Sequence, residues 1–323
     1  MTLSLRVVEA RDLNPLIRLL RLAAEDAPLL PGFTAGGHIR VLVKLPDGRN
    51  DWRHYSLVEL DPAADLGAPH GYTIAVRRED EGRGGSRFMH SVQVGDLLTV
   101  EPPKNEFPLH AGPGRVVLVA GGIGVTPLAT MAARCRAQGQ AVSLHYAGRS
   151  LDTMALLPEL QHLLGDDLAV HADAQAGAPL AVDALLAACG EHDQLHVCGP
   201  KPLLDAVLAG ARSRGWPQDR IHFELFSAPP AQAGDHAFEV VLAQGGRTVQ
   251  VGASQSLLDA LLDAGCDPMF DCKRGECGVC TTTVLEGEVE HRDYCQSEAE
   301  RAGGKVMQIC VSRARGQRLV LDL

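Results

Sequence analysis

The chain has 323 residues, enough for two or three domains that each bury a core, with a net charge of −10 and only 4% aromatic residues. That charge and that shortage of stacking side chains argue against a nucleic-acid partner. Nine cysteines are too few for a disulfide scaffold at this length, and setting aside a metal-type group of four leaves an odd number, which points to a reducing compartment, the cytoplasm.

The opening residues, MTLSLRVVEARDLNP, alternate like a strand and lack the apolar stretch of a signal peptide. Short strands broken by Gly and Pro follow at His38–Leu45, WRHYSLVEL, YTIAVRRE and DLLTVEPP, predicting an antiparallel barrel over residues 1–110. Arg53-His54-Tyr55-Ser56 falls at the end of the presumed third strand. An arginine clamps a phosphate with its planar fork, and Tyr55, two positions on, shares the strand face with it. Ser56 is placed to hydrogen-bond a flavin ring nitrogen. Alone the tetrapeptide is weak, because such sequences arise by chance on half-buried strands. Gly82-Arg83-Gly84-Gly85-Ser86 then precedes RFMHSVQVG, predicted as a helix whose first N–H groups, with Ser86 at the cap, make an anion site. An ordinary capped helix is the plainer alternative, and Arg53 tips the reading toward phosphate.

The period changes beyond residue 110. Val116–Ala133 is uncharged and long enough to suggest a membrane span, but three glycines and Pro127 interrupt it and it opens β-branched. A buried strand, a turn and a helix are predicted instead. The turn, Gly121-Gly122-Ile123-Gly124-Val125-Thr126-Pro127, is not the G-x-G-x-x-G fingerprint. Its small residues still allow a pyrophosphate to approach a helix start, and Pro127 suits a first helical turn. AVSLHYAG, MALLPELQHLL, DLAVHAD, AVDALLAACG and QLHVCGP continue a β–α alternation, predicting a parallel doubly wound α/β sheet. Cys198-Gly199-Pro200 puts a thiol at the carboxyl edge of that sheet, where ligands collect, although a buried structural cysteine is the commoner case.

Ser227–Ala237 is rich in alanine and proline without hydrophobic period, and a linker is assigned at 228–237. FEVVLAQGGRTVQV reads as a hairpin about Gly245–Gly246, and SLLDALLDAG as a helix that delivers the cysteines. Cys272, Cys277 and Cys280 stand as C-x4-C-x2-C with Cys310 far behind, the plant-type [2Fe–2S] spacing. Zinc sites favour two C-x2-C pairs. Gly275 and Gly278 let the loop bend so that its N–H groups face the sulfides.

RHYS, YTIAVRRE, GRGGS, PPKNEFPL, GGIGVTPL, CGP, FELF (Phe223–Phe226), CKRGECGVC, EHRDY and CVSRARG, in this order, resemble the ferredoxin–NADP reductase superfamily. With the cysteine module at the end, the chain is similar over essentially its whole length to the phthalate dioxygenase reductase and vanillate demethylase reductase family. The resemblance implies a multidomain fold: an antiparallel β-barrel flavin domain (1–110), an α/β doubly wound nucleotide domain (111–227) and an α+β, β-grasp ferredoxin domain (238–323). It implies FMN held by Arg53, His54, Tyr55, Ser56, Ala75, Val76, Gly84, Gly85 and Ser86. It implies NADH held by Gly121, Gly122, Gly124, Val125, Thr126, Pro127, Arg149, Cys198, Gly199 and Pro200, with Ser56 and Cys198 at the centre of hydride transfer. Phe226 would shield the flavin, and Cys272, Cys277, Cys280 and Cys310 would hold the cluster. Electrons would run from NADH through FMN and the cluster to a Rieske-type terminal oxygenase, with a cytochrome P450 as the alternative acceptor. A monomer without membrane attachment is expected. NADH is preferred on the resemblance; Arg149-Ser150 offers a cation and a hydroxyl to a 2′-phosphate, and Asp152 offers a carboxylate to a 2′-hydroxyl. Lys273 and Arg274 are expected to meet acidic residues of the partner.

Overall fold

The computed structural model describes residues 2–24, 29–229 and 231–323. It comprises two compact units, one ending at Glu224 and the other running Leu225–Leu323. Among the described residues, no helix is long and apolar enough to cross a membrane.

The first unit opens with six antiparallel strands: β1 (Leu3–Asn14), β2 (Ile17–Ala23), β3 (His38–Lys44), β4 (Asn50–Ser56), β5 (Tyr72–Arg77) and β6 (Leu97–Lys104), in the order β4-β3-β6-β1-β2-β5. The outer members β4 and β5 touch, and Val58 N–H donates to the Thr73 carbonyl at 2.9 Å, closing the sheet into a barrel. Alternate residues turn inward: Leu5, Val7, Leu20, Leu22, Ile39, Val41 and Ile74 are at most 1% exposed. The N-terminal alternation forms β1, and Asn14 Oδ1 accepts the Leu16 N–H at 3.0 Å and turns the chain into β2, a further strand. The R-H-Y-S segment is therefore on the fourth strand, not the third. Helix α1 (Gly85–Ser91) packs on β3 and β5 and drives Met89 into the barrel core.

Five parallel strands follow in the order β11-β10-β7-β8-β9: β7 (Val116–Gly121), β8 (Val142–Gly148), β9 (Leu168–Ala172), β10 (Gln194–Cys198) and β11 (Ile221–Glu224). All six residues of β7 are buried, as a central parallel strand covered on both faces requires. The uncharged stretch divides as expected, into β7, a 3-10 turn at Gly122–Gly124 and α2 (Val125–Ala137). Helices α3 (Leu157–Leu164), α4 (Asp173–Ala176), α5 (Val182–Ala187) and α6 (Lys201–Ser213) complete the layers. Helix α6 follows from its sequence period: Leu204, Val207, Leu208 and Ala211 repeat on one buried face. Ile17, Leu19, Val58 and Ala75 of the barrel share one core with Val116 and Leu118 of the sheet and Leu128 of α2.

Two groups of histidines stack about this sheet, His145, His171, His196 and His222 on its strands and the exposed His110 in the loop before β7. His110 lies 4.0 Å from His222, which lies 4.6 Å from His196; His145 Nδ1 is 3.2 Å from His171 Nε2. Burial, then the neighbouring imidazoles, pull His196 down to about 3 and His222 and His145 to about 4, and burial lowers His171 as well. Folded values below the unfolded one mean that the unfolded chain takes up protons first as pH falls below about 6.5. The unit should keep its full stability above that pH and lose up to about 1.4 kcal/mol per pH unit for each ring, less where water reaches it. We expect the unfolding temperature to drop steeply between pH 6.5 and 4.5, and His196→Gln to flatten that drop in part. A level profile would refute the assignment.

The second unit holds β12 (Phe238–Leu242), β13 (Arg247–Val251), α7 (Leu257–Asp263), β14 (Thr281–Glu286), β15 (Val289–Glu290), α8 (Glu298–Gly303), β16 (Val306–Gln308), β17 (Arg313–Ala314) and β18 (Arg318–Leu321). The main sheet runs β13-β12-β18-β14-β16. The unit's first and last strands, β12 and β18, lie parallel between antiparallel neighbours, the β-grasp arrangement. The hairpin turns at Gly245 and Gly246, both at positive φ, and Ser256 Oγ caps α7 by accepting the Asp259 N–H at 3.0 Å. The linker expected at 228–237 is tied down at its far end. Arg292 clamps Asp235 through both carboxylate oxygens, at 3.1 and 2.5 Å, and Arg313 donates to the His236 carbonyl. The Arg292 guanidinium holds the Asp235 carboxyl at about 2.

Candidate functional site

The barrel edge comes first. Arg53 and Tyr55 stand opposite Val41 and Ile39 in the β3–β4 register, so they share one face of the sheet. His54 stands on the other face, with its ring 5.0 Å from that of His38. The structure thus separates His54 from the two side chains it was grouped with. Arg53 Nη1 donates to Asp51 Oδ2 at 2.5 Å and to the Trp52 carbonyl at 2.9 Å. Burial alone would raise the Asp51 carboxyl, but the Arg53 hydrogen bond and charge outweigh it and hold the value below normal. The Nε edge of Arg53 faces α1: a Cβ at Gly85 would sit 2.8 Å from Nε. Gly84, at φ +98°, has no room for a side chain against Pro46.

The arginine fork and the first turn of α1 therefore meet, as the phosphate reading requires. Ser86 is not the cap. The N-cap is Gly84, without a side-chain bond, and Ser86 Oγ accepts the Glu79 N–H at 2.9 Å, pinning the preceding loop. Helix α1 is only two turns long, so its dipole is small and the donors at this edge are Arg53 and the first-turn N–H groups. Ser56, 7% exposed, ends β4; across the barrel seam, Ala75 and Val76 of β5 are buried, and β5 packs against the Gly122–Gly124 turn.

The second edge is where the sheet's winding reverses, between β7 and β10. A Cβ at Gly124 would lie 2.2 Å from the Cys198 carbonyl oxygen, and one at Gly121 would lie 2.5 Å from Pro200 Cδ and 3.2 Å from Gly199 Cα. The GGIGVTP and CGP turns thus pack backbone on backbone, which only glycine permits. Gly122, at φ +54°, faces open space. Val125, Thr126 and Pro127 are buried, and the Thr126 hydroxyl donates to the Ile123 carbonyl at 3.0 Å. Val125 and Pro127 can offer a ligand only their backbone. Cys198 is fully buried and pairs in register with Glu224, a 5% exposed carboxylate that sequence reading passed over inside F-E-L-F. Arg149 is exposed just past β8. Phe226, 38% exposed, belongs to the second unit.

The four cluster cysteines converge within the second unit. Cys280 and Cys310 sulfurs are 3.2 Å apart, the Arg274 N–H donates to Cys272 Sγ at 3.3 Å, and Cys272 bonds the thiols of Cys277 and Cys310. Those shared bonds lower Cys272 and Cys280 and raise Cys277 and Cys310. Four thiolates this close repel unless a cation stands among them. Gly275 at φ +81° and Gly278 at φ +73° make the bends that bring them together. Among the described residues, no three His, Cys, Asp or Glu side chains surround a single-ion centre. A two-iron cluster asks for two thiolates per iron, so this donor set fits [2Fe–2S].

The E-H-R-D-Y segment braces the pocket in a way its sequence did not reveal. The Tyr294 N–H donates to the Gly275 carbonyl at 2.9 Å, and the buried Asp293 accepts the Gln296 N–H at 3.0 Å and the Ser312 hydroxyl at 3.4 Å.

Arg274 departs from expectation. It is 7% exposed, with Nε 3.4 Å from Glu276 Oε2, and Glu276 also accepts the Leu225 N–H. Lys273 is half-buried, its Nζ 4.7 Å over the Phe270 ring and 4.0 Å from Asp259 Oδ1. Docking electrostatics therefore cannot rest on Arg274. We expect Arg274→Glu to place two carboxylates in one buried spot, cost roughly 3–5 kcal/mol and lower cluster content, whereas Lys273→Glu keeps the cluster and alters only the salt dependence of electron transfer. Cluster absorbance per chain and transfer rates across ionic strength check both, and a fully loaded Arg274→Glu protein would contradict the burial argument.

A family model described as a 2Fe-2S iron-sulfur cluster binding domain matches residues 240–315. The carnitine monooxygenase reductase subunit of Acinetobacter baumannii is 37% identical over 318 residues, 98% of this chain and 96% of that protein. The heme-dependent oxidative N-demethylase beta subunit of Ectopseudomonas mendocina is 40% identical over 322 residues, 99% of each. Among solved structures, phthalate dioxygenase reductase, described as a modular structure for electron transfer from pyridine nucleotides to [2Fe–2S], superposes with a TM-score of 0.75 at 33% identity, covering 100% of this chain and 98% of that one. An intact type IV self-sufficient cytochrome P450 monooxygenase matches all of this chain at 37% identity and a TM-score of 0.73, but the chain spans only 41% of it.

Proposed function

We propose a role for this chain from its family: it belongs to the phthalate dioxygenase reductase and vanillate demethylase reductase family. It is an oxidoreductase that joins a flavin module and a nucleotide module to a [2Fe–2S] ferredoxin domain. In our reading it works as a monomer, takes electrons from NADH and delivers them to a Rieske-type terminal oxygenase. The observation that carries this is the meeting of the Gly121–Pro127 and Cys198–Pro200 turns at the sheet's switch point, beside the seam that holds Ser56 and Ala75.

Bound FMN would supply the conversion between the two-electron chemistry of NADH and the one-electron chemistry of a [2Fe–2S] cluster. Arg53 and the first-turn N–H groups at Gly85 and Ser86 hold the FMN phosphate, Tyr55 packs on the ring system and Ser56 hydrogen-bonds its polar edge. The main chain at Gly121, Gly122, Gly124 and Thr126 receives the NADH diphosphate. Cys198, Gly199 and Pro200 border the nicotinamide, and Arg149 reaches the adenosine end. Cys272, Cys277, Cys280 and Cys310 ligate the cluster. Asp152, in the turn after Arg149, holds the ribose hydroxyl and sets the preference for NADH.

A haem acceptor is the second reading, favoured by the matches to the N-demethylase subunit and the P450 chain. Protein reduced anaerobically with NADH should be reoxidised rapidly by a Rieske oxygenase and slowly by a P450 haem domain, and the reverse order would select the second reading. kcat/KM should favour NADH over NADPH; an order-of-magnitude preference for NADPH would reverse that assignment.

A further inference from the structure

Thr130 lies on α2, one turn beyond Pro127, with none of its surface exposed. Its hydroxyl donates to the Leu57 carbonyl at 2.8 Å and accepts the Glu59 N–H at 2.9 Å. A threonine inside a helix commonly turns its hydroxyl back onto the carbonyl one turn earlier. Here both bonds leave the helix and cross to the barrel. Leu57 directly follows Ser56, and Val58, between the two bonded groups, is 5% exposed in the core that barrel and sheet share. The same segment is held from its other side by the Val58 N–H bond to the Thr73 carbonyl.

We propose that Thr130 is a positioning residue for hydride transfer, a single buried hydroxyl that sets the offset between the Arg53–Ser56 strand end and the Gly121–Pro127 turn. The proposal rests on the reading that these two edges hold FMN and NADH. Hydride donor and acceptor must meet near contact distance, and a displacement of about 1 Å costs about 10²-fold in rate. Without the hydroxyl, a buried carbonyl and a buried N–H lose their partner together, and such groups shift until they find another. The strand end and α2 then part, although no residue that touches either cofactor has changed.

Thr130→Val conserves volume and removes both bonds; Thr130→Ser keeps both and removes a methyl. Each holoprotein is mixed anaerobically with NADH in a stopped-flow instrument, and hydrogen exchange at the Glu59 amide is followed by NMR. The valine variant should show flavin reduction slowed by an order of magnitude or more at saturating NADH, with NADH Kd and FMN content within roughly threefold of wild type. Its Glu59 amide should exchange faster, and serine should restore both rate and protection. A valine variant with the wild-type limiting rate overturns the proposal, because the offset is then set elsewhere. A serine variant as slow as valine overturns it too, by assigning the effect to the methyl. Should the valine protein not retain FMN, the serine variant and wild-type exchange decide: a wild-type Glu59 amide that exchanges without protection is also fatal. Failure of the underlying reading looks different, since NADH would then leave the wild-type flavin oxidised while Glu59 exchange still responded to the substitution.

Discussion

A Cys272→Ser protein should accept hydride from NADH at the wild-type rate and pass almost nothing to cytochrome c. Cys272 is 4% exposed and shares bonds with Cys277 and Cys310, so its loss removes a ligand from the middle of the donor set. The barrel and the nucleotide sheet lie in the other compact unit and share their own core, so they do not depend on it. The expected result is a split: NADH-driven flavin reduction unchanged, one-electron output down by on the order of 10²-fold or more, and the cluster's absorbance gone. Cytochrome c reduction at the wild-type rate by a cluster-free protein would mean that the flavin delivers electrons directly and that the four cysteines are not the relay.

Gly124→Ala should be nearly as severe at the opposite end of the chain of transfer. The added methyl would lie 2.2 Å from the Cys198 carbonyl oxygen, 2.5 Å from its carbon and 2.8 Å from the Gly199 nitrogen. All three are backbone atoms with no rotamer to yield, so one turn must move. Overpacking of this kind costs about 1–3 kcal/mol, and a shift of about 1 Å between nicotinamide and flavin costs about 10²-fold in rate. FMN and cluster absorbance should survive. Gly122→Ala makes the contrast, because its Cβ meets no protein atom and the penalty is the left-handed backbone, about 1–2 kcal/mol. It should raise KM for NADH more than it lowers kcat. Wild-type flavin reduction in Gly124→Ala would place the nucleotide away from the switch point.

Local pattern made much of this legible. The cysteine triplet, the glycine turns and the apolar run of β7 announce themselves because spacing and composition over a few residues decide them. What escaped depends on partners remote in sequence. Arg274 read as a surface cation because nothing in C-K-R-G-E-C tells which way its side chain turns, and only the fold buries it against Glu276. Ser86 read as a cap because serine favours that position, yet a glycine at φ +98° takes it and frees the serine to hold Glu79. Thr130 and Asp293 carried no signal, since each earns its role from groups on other elements. The linker looked featureless because Asp235 gains meaning only when Arg292 closes on it.

The central claim is that one chain carries electrons from NADH through a flavin to a [2Fe–2S] cluster, and an anaerobic titration of the holoprotein with NADH, followed by absorbance and electron paramagnetic resonance, tests it most directly. The account predicts uptake of two electrons by the flavin and one by the cluster, with both absorbance bands bleaching and a reduced-cluster resonance appearing at one spin per chain. Bleaching of the flavin alone, with the cluster left oxidised at excess NADH, would contradict it.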